Sequence, residues 1–295
     1  MQTIVITGAS GFLGRACCAA FTSAGYSVRA LVRNLDAQQY LQAVSDGGVY
    51  LASMPDRIDE KAFKGAVRAV IHCAYATTGS DQKAAQETNL AGTRRLREIT
   101  QRYAIPQFVF ISSMAAHKAA RSTYGVTKWQ LEQEMTASSD TIVKPGTIIG
   151  PGGAFERVRE MVRKLPAVPL LYGDRQLQTI WIEDVSAGIV EIVRRNVTGT
   201  IILAHPDTVS MREFYQKIAD IELSGKKFIP VSGDLALCAV TVLERFGLRL
   251  PISSENLLGI KYLHRFDPLP DLRRLGLEPL NFQQSLDGLT GYSAA

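Results

Sequence analysis

Cysteine, long apolar runs and blocks of like charge are all scarce in this sequence of 295 residues. The four cysteines are Cys17, Cys18, Cys73 and Cys238, and they form no CxxC pair and no cluster with histidine. A structural zinc site is therefore not expected, and no metal is predicted. Reduced thiols packed in the interior are the simplest interpretation, as is usual in the cytoplasm.

No stretch of the sequence is apolar over the length that a membrane-spanning helix needs. The longest apolar run near the carboxyl end is LALCAVTVL at 235–243. It is predicted to form a core or interface helix, with a weak contact to a membrane surface as the alternative. The amino-terminal residues have the pattern of a strand instead of a signal peptide, so a cytoplasmic location is expected.

Charge is moderate and dispersed along the chain. Charged residues make up 21% of the sequence and the formal net charge is +5. The basic residues form no dense block, so no nucleic-acid partner is predicted. A mildly basic surface would suit an anionic cofactor or a small-molecule substrate.

Strand-like and helix-like patterns alternate through the first half of the chain. Strands are predicted at 3–7, 27–32, 69–74, 107–112 and 141–144, with helices at 12–24, at 83–103 and from 124. This alternation predicts an α/β fold, a Rossmann-type doubly wound parallel sheet. Residues 1–150 are predicted to form the NAD(P)-binding domain, which also receives a strand and a helix from about 178–203. Prolines loosen the pattern beyond residue 150, and residues 151–295 are predicted to form mainly a smaller C-terminal substrate-binding lobe.

A glycine-rich turn, TGASGFLG, lies between the first predicted strand and the first helix. Gly8, Gly11 and Gly14 have the spacing GxxGxxG. A tight turn and a close approach of backbone to a pyrophosphate both need residues without a Cβ, and the helix that follows directs its free N–H groups at the phosphates. The position as the first element of an α/β chain favours a dinucleotide site over an empty turn. The predicted cofactor-binding residues of this turn are Gly8, Ser10, Gly11, Phe12, Leu13 and Gly14.

The end of the second predicted strand bears on the choice of dinucleotide. NAD-preferring Rossmann proteins place an acidic residue there, whereas this strand ends LVRN with Val32 and then Arg33. A guanidinium suits the 2′-phosphate of NADP through charge-assisted hydrogen bonds. The sequence therefore predicts a preference for NADP(H), with NAD(H) as a possible cofactor and a simple surface arginine as the alternative.

Tyr124 and Lys128 lie four positions apart in RSTYGVTK, where a helix is predicted to begin. Side chains at this spacing share one helix face, so the lysine charge can act on the phenol. A free phenol has a pKa of about 10 and is a poor base at neutral pH, and a nearby positive charge lowers that pKa towards the working range. Because the spacing also arises by chance, an ordinary solvent-facing turn of helix is the alternative.

The motifs TGASGFLG, RAVIHCA, NLAGT, FVFISS, YGVTK and KPGTIIGPGG follow one another in this order. Over about residues 1–220 the chain resembles the extended short-chain dehydrogenases/reductases, and among them the NAD-dependent epimerase/dehydratase group. The resemblance implies that Ser113, Tyr124 and Lys128 act together in catalysis and that Asn89 supports the lysine.

The same resemblance implies further cofactor contacts and an assembly. Tyr124 and Lys128 would also contact the cofactor, and so would Ser112. The residues expected to line the nicotinamide and its ribose are Ala74, Tyr75, Pro145, Thr147 and Ile148. A homodimer is implied, formed by a four-helix bundle of the helices around 88–103 and 124–137.

Four further positions also bear on the function. Leu177 replaces the arginine that sugar-nucleotide members of that group use to hold a pyrophosphate, as in atypical members related to an NADPH-binding accessory subunit of respiratory complex I. Asp184 is predicted to cap the helix that follows it. His72 is predicted to be packed in a strand, whereas His117 lies near the expected mouth of the site.

The predicted function is an NADP(H)-dependent oxidoreductase or epimerase that transfers hydride at a carbinol or ketone of a sugar-like or other small substrate. Tyr124 would be its acid/base. A non-catalytic NADP(H)-binding sensor or assembly protein is the alternative, and a fold-only interaction protein is a third. The complete set of Ser113, Tyr124 and Lys128 favours the enzyme, because a binding module needs no such set.

Overall fold

The computed structural model describes residues 1–34, 45–76, 82–222, 225–248, 250 and 252–292. Its strands are β1 (Thr3–Thr7), β2 (Ser27–Val32), β3 (Val49–Ser53), β4 (Arg57–Ile58), β5 (Val67–His72), β6 (Phe108–Ile111), β7 (Asp140–Pro145), β8 (Thr147–Ile149), β9 (Ala167–Leu171), β10 (Gln176–Trp181), β11 (Gly199–Leu203), β12 (Thr208–Ser210) and β13 (Lys227–Val231). Its α-helices are α1 (Phe12–Ser23), α2 (Gln82–Arg102), α3 (Thr123–Glu134), α4 (Gly153–Lys164), α5 (Ile182–Arg194), α6 (Met211–Ile221), α7 (Gly233–Arg245), α8 (Ser254–Lys261), α9 (Leu269–Leu275) and α10 (Phe282–Tyr292).

The main sheet has eight strands in the order β11-β7-β6-β5-β1-β2-β3-β4. Its pairings are parallel except that β4 runs antiparallel to β3. Strand order reverses at β1, which lies between β2 and β5, so this is the topological switch point where doubly wound sheets bind ligands. The predicted Rossmann-type fold class is confirmed.

Helices cover both faces of this sheet, because its central strands are apolar on both sides. On one face α1 and α5 pack together, with Phe21 and Ile189 in the core. On the other face α2 and α3 contribute Leu96 and Leu131. Strands and helices from distant parts of the sequence thereby place the residues that follow β1, β5 and β6 at one sheet edge.

The rest of the chain builds smaller sheets, one with the order β12-β10-β8 and one that pairs β13 with β9. The backbone passes from the main sheet to the first of these at Gly146, where a Cβ would lie 2.8 Å from the carbonyl oxygen of Gln178. A separate core that includes Phe155, Trp181 and Phe214 fills this region. The strand β11 nevertheless returns to the edge of the main sheet and pairs with β7.

Helix α7 contains the long apolar run of the sequence, yet most of its side chains are in contact with solvent. Within α7 only Gly233 is buried. Leu235 is 72% exposed and Phe246, directly after the helix, is 80% exposed. Of the predicted core or interface helix, the core part is therefore wrong for this run, since α7 packs on α8 along one side and leaves the other side open. No helix among the described residues combines the length and the apolarity that crossing a bilayer requires.

Candidate active site

The glycine turn between β1 and α1 is shaped by two close approaches of backbone to backbone. Gly8 has φ +64°, and a Cβ there would lie 2.8 Å from the Cα atom of Ala74. A Cβ on Gly14 would overlap the carbonyl oxygen of Gly8. The N–H of Gly11 donates to that same carbonyl over 2.8 Å. Only residues without a side chain fit at Gly8 and Gly14, and the resulting cradle leaves the first N–H groups of α1 open to an anion.

The remaining residues of the turn divide into two that face solvent and two that pack against the small lobe. Ser10 and Gly11 are exposed at the tip, while Leu13 and the ring of Phe12 are partly buried against the core of the small lobe. A Cβ on Gly152 would lie 2.7 Å from the Phe12 ring, and the same holds for Gly153. The GPGG segment thus accommodates this ring, which joins the turn to the small lobe.

Arg33 directly follows β2 and is exposed. Because β2 pairs in parallel with β1 and Leu31 lies opposite Thr7, Arg33 lies beside the rim of the glycine turn. Val32 is 1% exposed and contributes to the core. Among the described residues 27–34, which include this strand and its end, no residue is acidic.

The candidate catalytic residues meet at the C-terminal ends of β5 and β6. Tyr124, in the first turn of α3, is 36% exposed, and its hydroxyl lies near enough to Ser113, which follows β6, for that side chain to lower the pKa of the phenol. The rings of Tyr75 and Tyr124 pack edge to face with centroids 5.0 Å apart. The Nζ atom of Lys128 lies 4.5 Å from the centroid of the Tyr75 ring. The structure therefore brings Ser113, Tyr124, Lys128 and Tyr75 together.

Lys128 is nearly inaccessible to solvent, although a solvent-facing turn was one interpretation of its motif. Its side chain is buried, and its Nζ atom donates to the carbonyl oxygen of Ile111 over 2.6 Å. Burial lowers the pKa of Lys128 to about 7, while Cys73 and Glu132 raise it in part. An ordinary surface helix would not bury a lysine in this way.

The pKa of Tyr124 differs from the sequence-based expectation. Desolvation of the ring raises it, and the neighbouring Ser113 side chain offsets part of that rise. The expected lowering by Lys128 is not found, because the ammonium is directed at the Ile111 carbonyl. Burial likewise raises the pKa of Tyr75 to about 12. Both phenols are therefore protonated at neutral pH, which is the form that donates a proton.

Asn89 holds the loop that follows β5 and carries Ala74 and Tyr75. Its Oδ1 atom accepts from the N–H of Ala76 over 2.7 Å, and its Nδ2 group donates to the carbonyl of Ala76 over 3.0 Å. This pair of bonds imitates strand pairing and orients the loop. Asn89 lies on α2 and no hydrogen bond in the described structure joins it to Lys128.

His72 is packed, as predicted, at the end of β5. Its Nδ1 atom lies 2.7 Å from the hydroxyl of Thr7, and its Nε2 atom lies 2.9 Å from the hydroxyl of Thr93. The same Thr7 hydroxyl accepts a hydrogen bond from the N–H of Ala74. Burial lowers the pKa of His72 to about 3, so the ring is neutral and serves the architecture of the loop.

Ser112 is directed away from the site and into a buried network that sequence reasoning missed. Its hydroxyl donates a short hydrogen bond to the carboxylate of Glu132. That carboxylate also pairs with Lys144, whose Nζ atom donates to the carbonyl of Ala116 over 2.7 Å. The signal available in the sequence was the position of Glu132, one helical turn beyond Lys128.

The small lobe contributes a second group that the sequence did not reveal. Glu255, in the first turn of α8, accepts hydrogen bonds from the N–H and the hydroxyl of Thr123 over 2.6 and 3.1 Å. A carboxylate is favoured there by the positive end of the α3 dipole. Thr123 directly precedes Tyr124, so α8 forms a wall beside the candidate acid.

His117 also connects the small lobe to the site. Its Nδ1 atom accepts from the N–H of Ala119, and its Nε2 atom lies 2.8 Å from the carbonyl oxygen of Tyr262. The accepting Nδ1 leaves the proton on Nε2, which donates to Tyr262. Burial lowers the pKa of His117. The ring thus anchors the residue that follows α8.

The last predicted cofactor residues follow the passage from β7 to β8. Pro145 lies in β7, opposite Leu203, while Thr147 and Ile148 are half-buried in β8 and pair with β10. Pro145 therefore belongs to the main sheet, whereas Thr147 and Ile148 belong to the small sheet that begins after Gly146.

The structure also shows the surroundings of Leu177 and Asp184, two residues singled out in the sequence. Leu177 is 4% exposed in β10 and packs in the small-lobe core. Asp184 does not cap its helix: it lies inside the first turn of α5, and its carboxylate accepts from the N–H of Leu280 over 2.8 Å. It holds the segment before α10 in place.

Comparison with known proteins agrees with this architecture. Residues 4–203 match the model of the NAD dependent epimerase/dehydratase family. A ceramide reductase of Caulobacter vibrioides is 29% identical over 208 residues, an alignment that takes in 68% of this chain and 64% of that protein. The chain thus spans less than two thirds of the length of this curated relative.

Solved structures show the same fold at low identity. A nucleoside-diphosphate-sugar epimerase from Pseudomonas aeruginosa superposes with a TM-score of 0.76 at 17% identity, covering 99% of this chain and 97% of the other. A dTDP-4-dehydrorhamnose reductase from Bacillus anthracis, in complex with NADP, gives a TM-score of 0.67 at 18% identity, covering 99% and 100%.

Proposed function

This chain belongs to the NAD dependent epimerase/dehydratase family, whose members are NAD(P)-dependent enzymes, and from that membership we propose that it is an NADP(H)-dependent reductase of a small ketone. Tyr124 would be the acid that protonates the forming alcohol. The observation that carries the proposal is the close grouping of Tyr124, Ser113 and the buried Lys128 around the ring of Tyr75.

The glycine turn fits a dinucleotide on its own geometry. A Cβ would fill the cradle at Gly8 and Gly14, so the space beside the N-terminus of α1 is kept for backbone contact with phosphates. Arg33 lies at the rim, where a guanidinium can pair with a 2′-phosphate. A bound nicotinamide supplies or accepts the hydride.

Side chains of the protein would bind the substrate oxygen and supply the proton. The Ser113 hydroxyl would hold the substrate oxygen by a hydrogen bond, beside the phenol that it already contacts. The protonated phenol of Tyr124 would donate to that oxygen as negative charge develops. With its pKa raised, Tyr124 is protonated at neutral pH, which is the form that donates to a ketone oxygen.

Lys128 would act beneath the phenol. When protonated, its Nζ atom provides three donors, of which one is given to the carbonyl of Ile111. The others would serve the cofactor ribose and the phenolate that remains after proton transfer. Its pKa of about 7 makes this charge sensitive to small changes in its surroundings.

Two observations support an expectation about the substrate class. A leucine, Leu177, is buried where sugar-nucleotide members have an arginine, and a leucine offers no charge to a pyrophosphate. The curated relative described above is named as a ceramide reductase. We therefore expect a substrate without a nucleoside diphosphate, and weak binding of UDP- and dTDP-sugars.

Three substitutions test the proposal. Tyr124→Phe keeps the ring but removes the proton donor, so turnover of a diketone or quinone with NADPH should fall by about a hundred- to ten-thousandfold while NADPH still binds. Ser113→Ala should lower turnover with little change in nucleotide affinity. Lys128→Met should lower both.

Tyr26→Phe provides a matched control, because this ring packs on Phe21 away from the site and its variant should keep wild-type turnover. Wild-type turnover by Tyr124→Phe on a substrate that the protein reduces would show the catalytic assignment to be wrong. Tight NADPH binding with no turnover of any carbonyl compound would favour the non-catalytic sensor.

A further inference from the structure

Helix α7 and the residues on either side of it present an unusually apolar surface. Leu235, Val242, Phe246 and Leu248 are 72%, 45%, 80% and 52% exposed, and Ile229 in the preceding strand is 53% exposed. We call these five side chains the apolar face. Soluble proteins expose single apolar residues commonly but rarely a contiguous set, and such a set marks an interaction surface.

The apolar face follows helix geometry. Positions 235, 242 and 246 lie seven and four residues apart, so they share one side of α7 and its continuation. Two further small or apolar residues, Cys238 and Ala239, are exposed on the same side between them. The opposite side of α7 packs on α8. These side chains therefore form a continuous apolar stripe along the solvent-exposed side of α7.

The acids and the cations of the segment that carries the apolar face differ in how they are engaged. The segment 225–248 contains two acids, Asp234 and Glu244. Asp234 accepts from the hydroxyl of Tyr172 over 2.8 Å and pairs with Lys261 over 2.9 Å. Glu244 accepts from both the N–H and the hydroxyl of Ser254. Both carboxylates are thus engaged by the protein itself.

The same segment contains three cations, of which Lys226 is half-buried and donates to the carbonyl oxygen of Arg163 over 3.0 Å. Lys227, at the start of β13, and Arg245, at the end of α7, are both exposed. In the sequence they lie near the two ends of the segment that carries the apolar stripe. A second copy of this chain seated on the apolar face would bring cationic rims close together, whereas a surface of anionic headgroups would neutralise them.

We propose that the apolar face docks this protein peripherally on a lipid bilayer that contains anionic lipids. Helix α7 lies in the plane of the interface, with Leu235, Val242 and Phe246 between the acyl chains and with Lys227 and Arg245 at the headgroups. Its 13 residues extend over about 20 Å, too short to cross the hydrocarbon core and suited to lying within the interface.

This orientation has a consequence for the site beside α3. Helix α7 packs on α8, and Glu255 of α8 holds Thr123, the residue before Tyr124. A bilayer beneath α7 therefore lies one helix layer from the wall of the candidate active site. The docking itself depends on neither cofactor nor turnover.

Flotation of the full chain with vesicles tests the proposal. Vesicles of mixed phosphatidylglycerol and phosphatidylcholine should carry the protein, and vesicles of phosphatidylcholine alone should bind it at least tenfold more weakly. Leu235→Glu combined with Phe246→Glu should weaken binding to the anionic vesicles at least tenfold. Lys227→Gln combined with Arg245→Gln should weaken it several-fold and reduce its dependence on salt.

Leu269→Glu is the matched control, because Leu269 is a 40% exposed leucine on α9, outside the apolar face. Its vesicle binding should equal that of the wild type. Unchanged melting temperature and NADPH binding would show that each variant is folded. Vesicle binding and reductase activity are separate measurements, so either proposal can fail alone.

A label on Cys238 gives a test without disruptive substitutions. Cys238 is exposed on the apolar face, whereas Cys17 and Cys18 are buried. The emission of an environment-sensitive dye at Cys238 should shift to shorter wavelength when anionic vesicles are added, and Cys238→Ser, which leaves only the half-buried Cys73 to react with the dye, should show no such shift.

Three outcomes would overturn the proposal. The first is the absence of both flotation and a dye shift with anionic vesicles. The second is vesicle binding that the Leu235→Glu and Phe246→Glu pair leaves unchanged in a folded protein. The third is light scattering in which that pair halves the mass of the wild type, which would assign the apolar face to a second copy.

Discussion

The carboxylate of Glu132 and the ammonium of Lys144 lie 2.8 Å apart, and each side chain is 4% exposed. This ion pair sits beneath the end of β6, where Ser112 donates to the same carboxylate. Burial raises the pKa of Glu132 although Lys144 and Ser112 lower it in part. Desolvation is thus the larger effect, as expected for a buried pair whose members depend on each other.

Removing one partner of this pair should be costly. Lys144→Met leaves a buried carboxylate without its cation and should lower the free energy of unfolding by about 3–5 kcal/mol. The double variant Lys144→Met with Glu132→Leu removes both charges and should recover much of that loss. Urea unfolding measures both variants.

The exposed pair of Lys164 and Glu160 provides the comparison, with side chains 74% and 48% exposed. Lys164→Met should change the stability by less than about 1 kcal/mol. If Lys144→Met and Lys164→Met lowered the free energy of unfolding equally, burial would not explain the cost of breaking the Glu132–Lys144 pair.

Arg33 should decide between the two dinucleotides. Arg33→Ser removes the guanidinium expected to pair with the 2′-phosphate, so affinity for NADPH should fall about ten- to a hundredfold while affinity for NADH changes little. Calorimetric titration of both nucleotides measures this. Arg273→Ser, an exposed arginine on α9, should leave both affinities unchanged. Tighter NADH binding by the wild type would contradict the assignment.

His72 should make the fold sensitive to acid. Its pKa is lowered to about 3, whereas an unfolded histidine titrates near 6.5. The stability from its neutral form is complete above pH 6.5 and is lost as the pH falls from there towards 3. The free energy of unfolding should drop by about 1.4 kcal/mol per pH unit from this residue alone.

A comparison with His72→Gln isolates the contribution of His72 to the pH dependence of the free energy of unfolding. Glutamine does not titrate, so the stability difference between wild type and variant should be constant from pH 7.5 to 8.5 and should shrink steadily below pH 6.5. Chemical denaturation at several pH values gives the difference. A difference that does not depend on pH would refute the prediction.

Assembly through α2 and α3 stays a prediction with a direct measurement. The two helices pack side by side, and Val126 of α3 is 39% exposed. Light scattering should return about twice the chain mass of 32.3 kDa. Val126→Glu should shift the mass towards one chain, whereas Leu269→Glu should not. A wild-type mass near 32.3 kDa would count against the dimer.

The sequence by itself determined the fold class and the local motifs. The strand and helix patterns before residue 150 indicated the parallel sheet because period and composition act within a few residues. Gly8 and Gly14 indicated the turn because a missing side chain is a local property, and the spacing of Tyr124 and Lys128 placed them on one helix face for the same reason.

Only the tertiary structure decided what surrounds those motifs. Glu255 lies 132 residues from Thr123, and no local pattern predicts that their side chains meet. The direction of the Lys128 ammonium, the burial of the Glu132 pair and the exposure of α7 likewise depend on which surfaces pack together. An apolar run such as 235–243 has the same sequence whether it is covered or open, because burial is a property of the assembled chain.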